Sequence, residues 1–273
     1  VFVKAKGFNP EELAQFRKFQ KTCFDIQRQM ASELTEGITE TEVAHKLFRR
    51  YKLAGAGNFF HLPVVLFGDR TGLPGQWKLG HFMPKQRRLK QNDAVILDGA
   101  PLFDGFMVDT SYSFCFGNNP AHDTMMKHLL EQRVLIKDLV NTQASFRDIA
   151  QIVAETGAKL GYDSVHEKHP GEVLGHRALR VRGPQNWRLK GSDGASLSWF
   201  LMKIWLSRFF PVLSPLWNRS PASNHAPTDG LWMVEPHFSN GDFGAKWEEI
   251  LVIQDGQADW LDDKLPHVEK WAA

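Results

Sequence analysis

The chain has 273 residues, of which 42% are apolar and 23% charged, the composition of a globular protein long enough for one large α/β core or two small domains. Lys+Arg of 33 against Asp+Glu of 31 leaves a formal charge of +2, so charge gives no ground for a nucleic-acid partner or a strongly anionic one. The two cysteines, Cys23 and Cys115, form neither a disulfide framework nor a CxxC pair, and Val1-Phe2-Val3-Lys4 has neither an initiator Met nor a signal-peptide pattern. A reducing compartment, the cytoplasm by default, and a trimmed start are therefore expected.

From Pro10 to about Leu34, Leu13, Phe16, Phe19, Cys23, Ile26 and Met30 recur at helical spacing, and Asn9-Pro10 is a good start signal. A second helix opens on a capping box, Thr39 with Glu42, continues its stripe through Val43, Leu47 and Tyr51, and ends at Gly55 and Gly57. Ala94 to Leu97 and Phe103 to Phe116 are β-branched or aromatic runs broken by Asp104-Gly105, which predicts a hairpin with Asp98 on one arm and Asp109 on the other. A helical stripe from about Thr124 to Val140 follows, then Ser145 capping a helix that runs to about Gly161. Each half thus reads helix, turn, helix, then extended segments, although two helical hairpins are common in any α/β protein. Leu231 to Glu235 and Ala245 to Ile253 read as strands separated by Ser239-Asn240-Gly241-Asp242, a second hairpin with Glu235 and Glu248.

All four acids sit in apolar sequence. An ionised carboxylate is costly to bury unless a cation or hydrogen bonds compensate, so either each acid caps a turn or pairs with an arginine, or together they hold metal. With the imidazole of His176 in Leu174-Gly175-His176, the oxygen-rich set suits two hard or borderline divalent ions better than one structural zinc, for which cysteines would be expected.

Ile96-Leu97-Asp98-Gly99-Ala100, Asp104-Gly105-Phe106, Val108-Asp109-Thr110, Leu174-Gly175-His176, Met233-Val234-Glu235-Pro236 and Gly244-Ala245-Lys246-Trp247-Glu248-Glu249 stand in the order of one known signature. With the early segment Glu36 to Val43, the chain over roughly residues 10 to 255 resembles the two-metal metallopeptidases that include methionine aminopeptidase, prolidase and creatinase. The resemblance implies an α/β pita-bread fold, two pseudo-symmetric helix-helix-strand halves around a mostly antiparallel curved sheet. It implies two divalent ions (Mn, Co, Zn or Fe), one on Asp98, the other on His176 and Glu235, with Asp109 and Glu248 bridging both. Glu235 would also shuttle a proton, and His81 would be the substrate-pocket histidine. Lys246 stands where prolidase-like relatives often carry arginine, in a supporting hydrogen bond or simply solvated. The layout, without the extra N-terminal domain of prolidase, is nearer to methionine aminopeptidase.

The pattern departs from the family after His176, where Arg177 to Arg182 lead to no second catalytic histidine. His169, His225 or His237 could take that place in space, although an ordinary loop histidine is the plainer reading of each. Arg177, Arg180, Arg182 and Arg188 could hold a substrate carboxylate or phosphate, or form a solvated basic loop. An amphipathic insertion at about residues 183–228 contains Leu197 to Phe210, readable as a dimer-packing helix, a wall of the substrate site or an interfacial membrane helix. The expectation is a single catalytic domain cleaving an amide or peptide bond, as a homodimer without nucleic acid. A metal-dependent lyase and a non-catalytic binding protein are the alternatives.

Overall fold

A computed structural model of the chain describes residues 2–75, 79–183, 188–189 and 192–272. Helix α1 spans Pro10–Ser32 and α2 spans Glu40–Leu53, each opened by a capping box, Asn9 with Glu12 and Thr39 with Glu42. Such a box satisfies orphan N–H groups at both ends of the first turn and contributes about 1 kcal/mol. Helix α3, Pro120–Asn141, starts one turn earlier than its apolar stripe predicts, because Asn119-Pro120 supplies the same cap-and-proline start as Asn9-Pro10. Helix α4, Phe146–Lys159, is capped by Ser145 as expected.

After each helix pair the chain builds the same three-stranded antiparallel unit. In the first half, Asp93–Gly99 lies between Val64–Phe67 and Thr110–Phe116. In the second, Gly230–Val234 lies between Gly175–Arg177 and Glu249–Gln254. Each long hairpin carries a smaller one at its tip, Pro101–Phe103 with Phe106–Met107 and His237–Ser239 with Gly244–Lys246. Asp104 and Gly105 have φ of 47° and 80°, the double left-handed geometry that a two-residue hairpin turn demands. Among the described residues every strand pairing is antiparallel.

Apolar residues facing the helices hold each half together. Phe16 and Phe19 of α1 meet Phe106 and Phe103 with ring centroids 5.0 and 4.9 Å apart, and Phe146 of α4 stacks on Trp217 at 4.3 Å and meets Trp232 at 4.5 Å. Each such fully buried side chain contributes roughly 1.5–3 kcal/mol.

Within the inserted span, α5 covers Gly194–Ser207, capped by Asp193, while residues 184–187 and 190–191 lie outside the described set. Asp193 also accepts from the Asn58 amide at 2.8 Å, which ties the insertion to the first half. Phe200 points inward, whereas Leu201, Met202, Trp205, Phe209, Phe210 and Val212 are exposed. Among the described residues no helix is long and apolar enough to cross a membrane.

Candidate metal centre

The side-chain alternation of each hairpin decides which residues meet. Val95 and Leu97 enter the main core, so Ile96 and Asp98 share the opposite face. On Glu249–Gln254, Glu249 turns toward α3 and binds Arg133 at 2.7 Å and His267 at 3.0 Å, which leaves the preceding Glu248 on the other side. The expected strand from Ala245 to Ile253 is interrupted at Trp247-Glu248, as the first hairpin is at Val108-Asp109, so each half places one acid at a break in its returning strand.

Breaks leave backbone groups without strand partners, and α1 supplies them. Gln27 donates to the Thr110 carbonyl at 2.8 Å, and Gln20 accepts from the Ile250 N–H at 2.8 Å. Seven residues apart, the two amides lie on one face of the helix and serve one half each. Across the halves, Ser113 Oγ bonds both backbone groups of Lys246, at 2.6 and 2.9 Å, and Ser111 pairs with Glu248. This stitching brings Asp109 beside Glu248. Gly175 lets His176 join them, since a Cβ there would lie 2.6 Å from the Met233 carbonyl.

The structure therefore brings together Asp98, Asp109, His176, Glu235 and Glu248, all buried, from both halves. His176 Nε2 lies 3.4 Å from Asp109 Oδ2 and 3.5 Å from Glu248 Oε1. Lys246 is buried among them, its ammonium 2.7 Å from Asp98, 2.8 Å from Glu235 and 3.1 Å from Glu248. Asp98 Oδ1, Asp109 Oδ1 and Glu248 Oε1 are buried acceptors with no hydrogen-bond donor, which is what cation ligands look like when only protein atoms surround them. Ligating atoms of Asp109, His176 and Glu248 lie within 4.8 Å of one another, and so do those of His61, Asp98 and Asp109.

Burial and neighbouring charges together shift the groups of this cluster. Burial raises the Asp98 carboxyl against the opposing pull of Lys246 and His61. Burial, with Asp109 and Glu235 adding, pushes Glu248 up to about 8. Burial also opposes the charge on His61, yet Asp109 and Asp98 lift it to about 10, and Asp109 and Glu248 likewise hold His176 well above the usual imidazole range. In the absence of added cations the imidazoles thus keep protons that balance the acids.

His61 has no signal in the sequence: Phe60-His61-Leu62-Pro63 follows a short strand and has no periodic partner, so only the fold reveals it. His169 and His237 also reach the centre. His169 Nδ1 is 2.8 Å from Glu235, its Nε2 is 2.9 Å from His237 Nδ1, and His237 Nε2 is 2.7 Å from the Thr71 carbonyl. A carbonyl only accepts, so His237 Nε2 carries a proton. Burial, with His169 and Lys246 nearby, holds His237 well below the usual imidazole range and hence neutral, so its Nδ1 accepts from His169 Nε2–H. His169 Nδ1 and Glu235 then share one proton.

His81 ends a short 3-10 turn, and the neighbouring Phe82 ring packs edge-on against His169 at 5.2 Å, which puts this segment at the Glu235 border. Two expected residues are not brought in. The Arg177 guanidinium lies 4.0 Å over Trp232 and donates to Asp229, because alternation puts it opposite His176; His225 bonds Ala226 and packs on Phe146. Arg180 and Arg182 pair with Glu12, while the Arg188 side chain lies outside the described residues. Phe200 of α5 stands 5.8 Å from the His176 ring and 4.9 Å from Phe60, so the insertion's inner face walls the centre.

The profile of metallopeptidase family M24 matches residues 14–255. An uncharacterized peptidase of Staphylococcus aureus (strain bovine RF122 / ET3-1) is 26% identical over 169 residues, 60% of this chain and 46% of that protein, so the chain spans about half the length of the curated relatives it matches. Among solved structures, an X-Pro aminopeptidase from Thermotoga maritima MSB8 superposes with a TM-score of 0.69 at 15% identity, covering 96% of this chain and 64% of that one. Prolidase from Pyrococcus furiosus gives 0.64 at 19% identity, covering 93% and 64%. Methionine aminopeptidase from Rickettsia prowazekii gives 0.64 at 14% identity, covering 94% and 99%. These likenesses establish the pita-bread fold already apparent in the paired halves. The chain belongs to metallopeptidase family M24, whose members are metal-dependent, peptidase-like hydrolases.

Proposed function

We propose that the protein hydrolyses an amide or peptide bond at a centre for two divalent cations, held by Asp98, Asp109, His176, Glu235 and Glu248. The observation that carries this reading is the convergence of buried, donor-free carboxylate oxygens from both halves around a shared imidazole. Two ions there would acidify a water and polarise the scissile carbonyl. Glu235, backed by His169 and His237, is positioned to take and return a proton, which makes His169 the group standing in for the missing second histidine. His81 is assigned to the substrate side and Lys246 to aligning the acids. Phe200 and Phe60 give the pocket an apolar wall, which suits an apolar or prolyl side chain.

The exposed apolar face of α5 supports a homodimer. Two free cysteines fit a reducing, cytoplasmic setting, and manganese is one of the ions such an oxygen-rich set accepts.

Chelator-stripped protein reloaded with Mn, Co, Zn or Fe should cleave members of a panel of Met-initiated, X-Pro and unrestricted short peptides into amine and carboxylate products. Asp109→Asn should reduce kcat/KM about 1000-fold, the scale of lost transition-state charge stabilisation. An alkene product would replace hydrolysis by a lyase reaction, and a protein that takes up no ions would favour the binding-protein alternative. Sedimentation of the same preparation tests the dimer, which a monomer at every concentration would exclude.

A further inference from the structure

We infer that His61 is a metal ligand, giving the Asp98 side of the centre an imidazole of its own; this rests on the two-cation reading above. His61 is built as His176 is. In each, Nδ1 faces the carbonyl of the next residue, Leu62 at 2.9 Å and Arg177 at 3.3 Å. A carbonyl only accepts, so both Nδ1 atoms carry hydrogen, and in the neutral tautomer the lone pair is on Nε2, the arrangement that prepares an imidazole to bind metal.

Both Nε2 atoms point at carboxylates. His61 Nε2 is 3.1 Å from Asp109 Oδ2 and 3.5 Å from Asp98 Oδ1, and His176 Nε2 is 3.4 Å from the same Asp109 oxygen and 3.5 Å from Glu248 Oε1. Nitrogen and oxygen ligands about 2.1 Å from one ion, at angles between square and tetrahedral, are about 3.0–3.4 Å apart. All four separations fall in or next to that range. Asp98 Oδ1, the oxygen His61 approaches, is buried and has no hydrogen-bond donor, while Lys246 takes the other oxygen. His61 is the more exposed of the two histidines, its side chain 36% accessible against 8% for His176, so the Asp98 side is also the side open to substrate.

In the cation-free chain a proton on His61 Nε2 faces the two carboxylates, and a divalent ion that displaces it satisfies all three groups at once. The two sites then have matching donors: Asp98, Asp109 and His61 on one side, and Asp109, Glu248 and His176 on the other. One imidazole on each ion shifts preference from Mg or Ca toward Co, Zn, Fe and Mn.

Chelator-stripped protein is titrated with Co(II), and bound metal is measured together with the paramagnetic proton NMR spectrum. Two ions per chain and two hyperfine-shifted, exchangeable N–H resonances, one from each Nδ1–H, are expected. His61→Ala should lose one resonance and weaken the second ion about 100-fold while keeping the first. Two ions with a single resonance in the unaltered protein, or unchanged affinity for both ions in His61→Ala, would overturn the assignment and leave the two-cation reading standing. Unaltered protein that binds fewer than two ions would overturn both.

Discussion

Lys246 shows how one residue can be legible in its identity and not in its role. Its position before the last glutamate is readable from sequence, but a solvated lysine and a buried one look alike until the fold encloses them. In the folded chain the ammonium takes one oxygen from each of Asp98, Glu235 and Glu248 and leaves Asp98 Oδ1 and Glu248 Oε1 turned elsewhere. It therefore orients the acids and offsets their repulsion before any cation arrives. Lys246→Met removes that compensation from a buried cluster, where breaking a pair from one side costs roughly 3–5 kcal/mol. Denaturation of the metal-stripped variant should show a loss of that size, and saturating divalent ion should recover most of it. An equal loss with and without ions would mean that Lys246 matters for packing alone. His61 marks the opposite limit, a residue whose importance lies wholly in what folds around it.

At the scale of elements, the hairpins were legible because turn chemistry is local: Asp104-Gly105 takes the two left-handed conformations that few other pairs tolerate. The breaks at Asp109 and Glu248 were not, because they depend on distant Gln27 and Gln20 amides rather than on the strands' own residues. Glu12 is another long-range tie. It completes the α1 capping box and also bridges Lys4 at the N-terminal strand and Arg180 on the strand after His176. Burial opposes its charge, but bonds from Lys4, the Asn9 backbone and Arg180 bring it down from 4.5 to about 2. A depressed carboxylate stabilises the fold fully above its unfolded value and loses that effect as pH falls through its folded value. Gln at the same position keeps the capping-box acceptor and removes the charge. Glu12→Gln should thus cost roughly 2 kcal/mol at neutral pH, less than the full shift implies because Lys4 and Arg180 are partly solvated. Denaturation midpoints of the variant and the original chain should converge as pH drops from about 4.5 toward 2; a difference independent of pH would place the effect in packing instead.

For the molecule as a whole, the repeat of helix pair and hairpin was readable, whereas the way the halves face each other was not, since Ser113 with Lys246 and Asn58 with Asp193 join segments more than a hundred residues apart. That meeting is what creates the centre: Asp98 and Asp109 belong to one half, and His176, Glu235 and Glu248 to the other. An ion bound there is a cross-link between halves, so its binding energy becomes stability of the entire fold. At a thousandfold excess over Kd, binding adds about 4 kcal/mol, and for a chain of this size each kcal/mol moves Tm by about 2–4 °C. Loading the stripped protein should therefore raise Tm by about 10 °C in a single transition. Burial already pushes the Asp98 and Glu248 carboxyls toward their neutral forms, which Asn and Gln mimic, so stripped Asp98→Asn and Glu248→Gln should be no less stable than the stripped original. Both should nevertheless forfeit most of the gain on loading, although one alters the first half and the other the second. If either variant kept the full gain, the ions would be bound within one half, and the two hairpins would owe their meeting to packing alone.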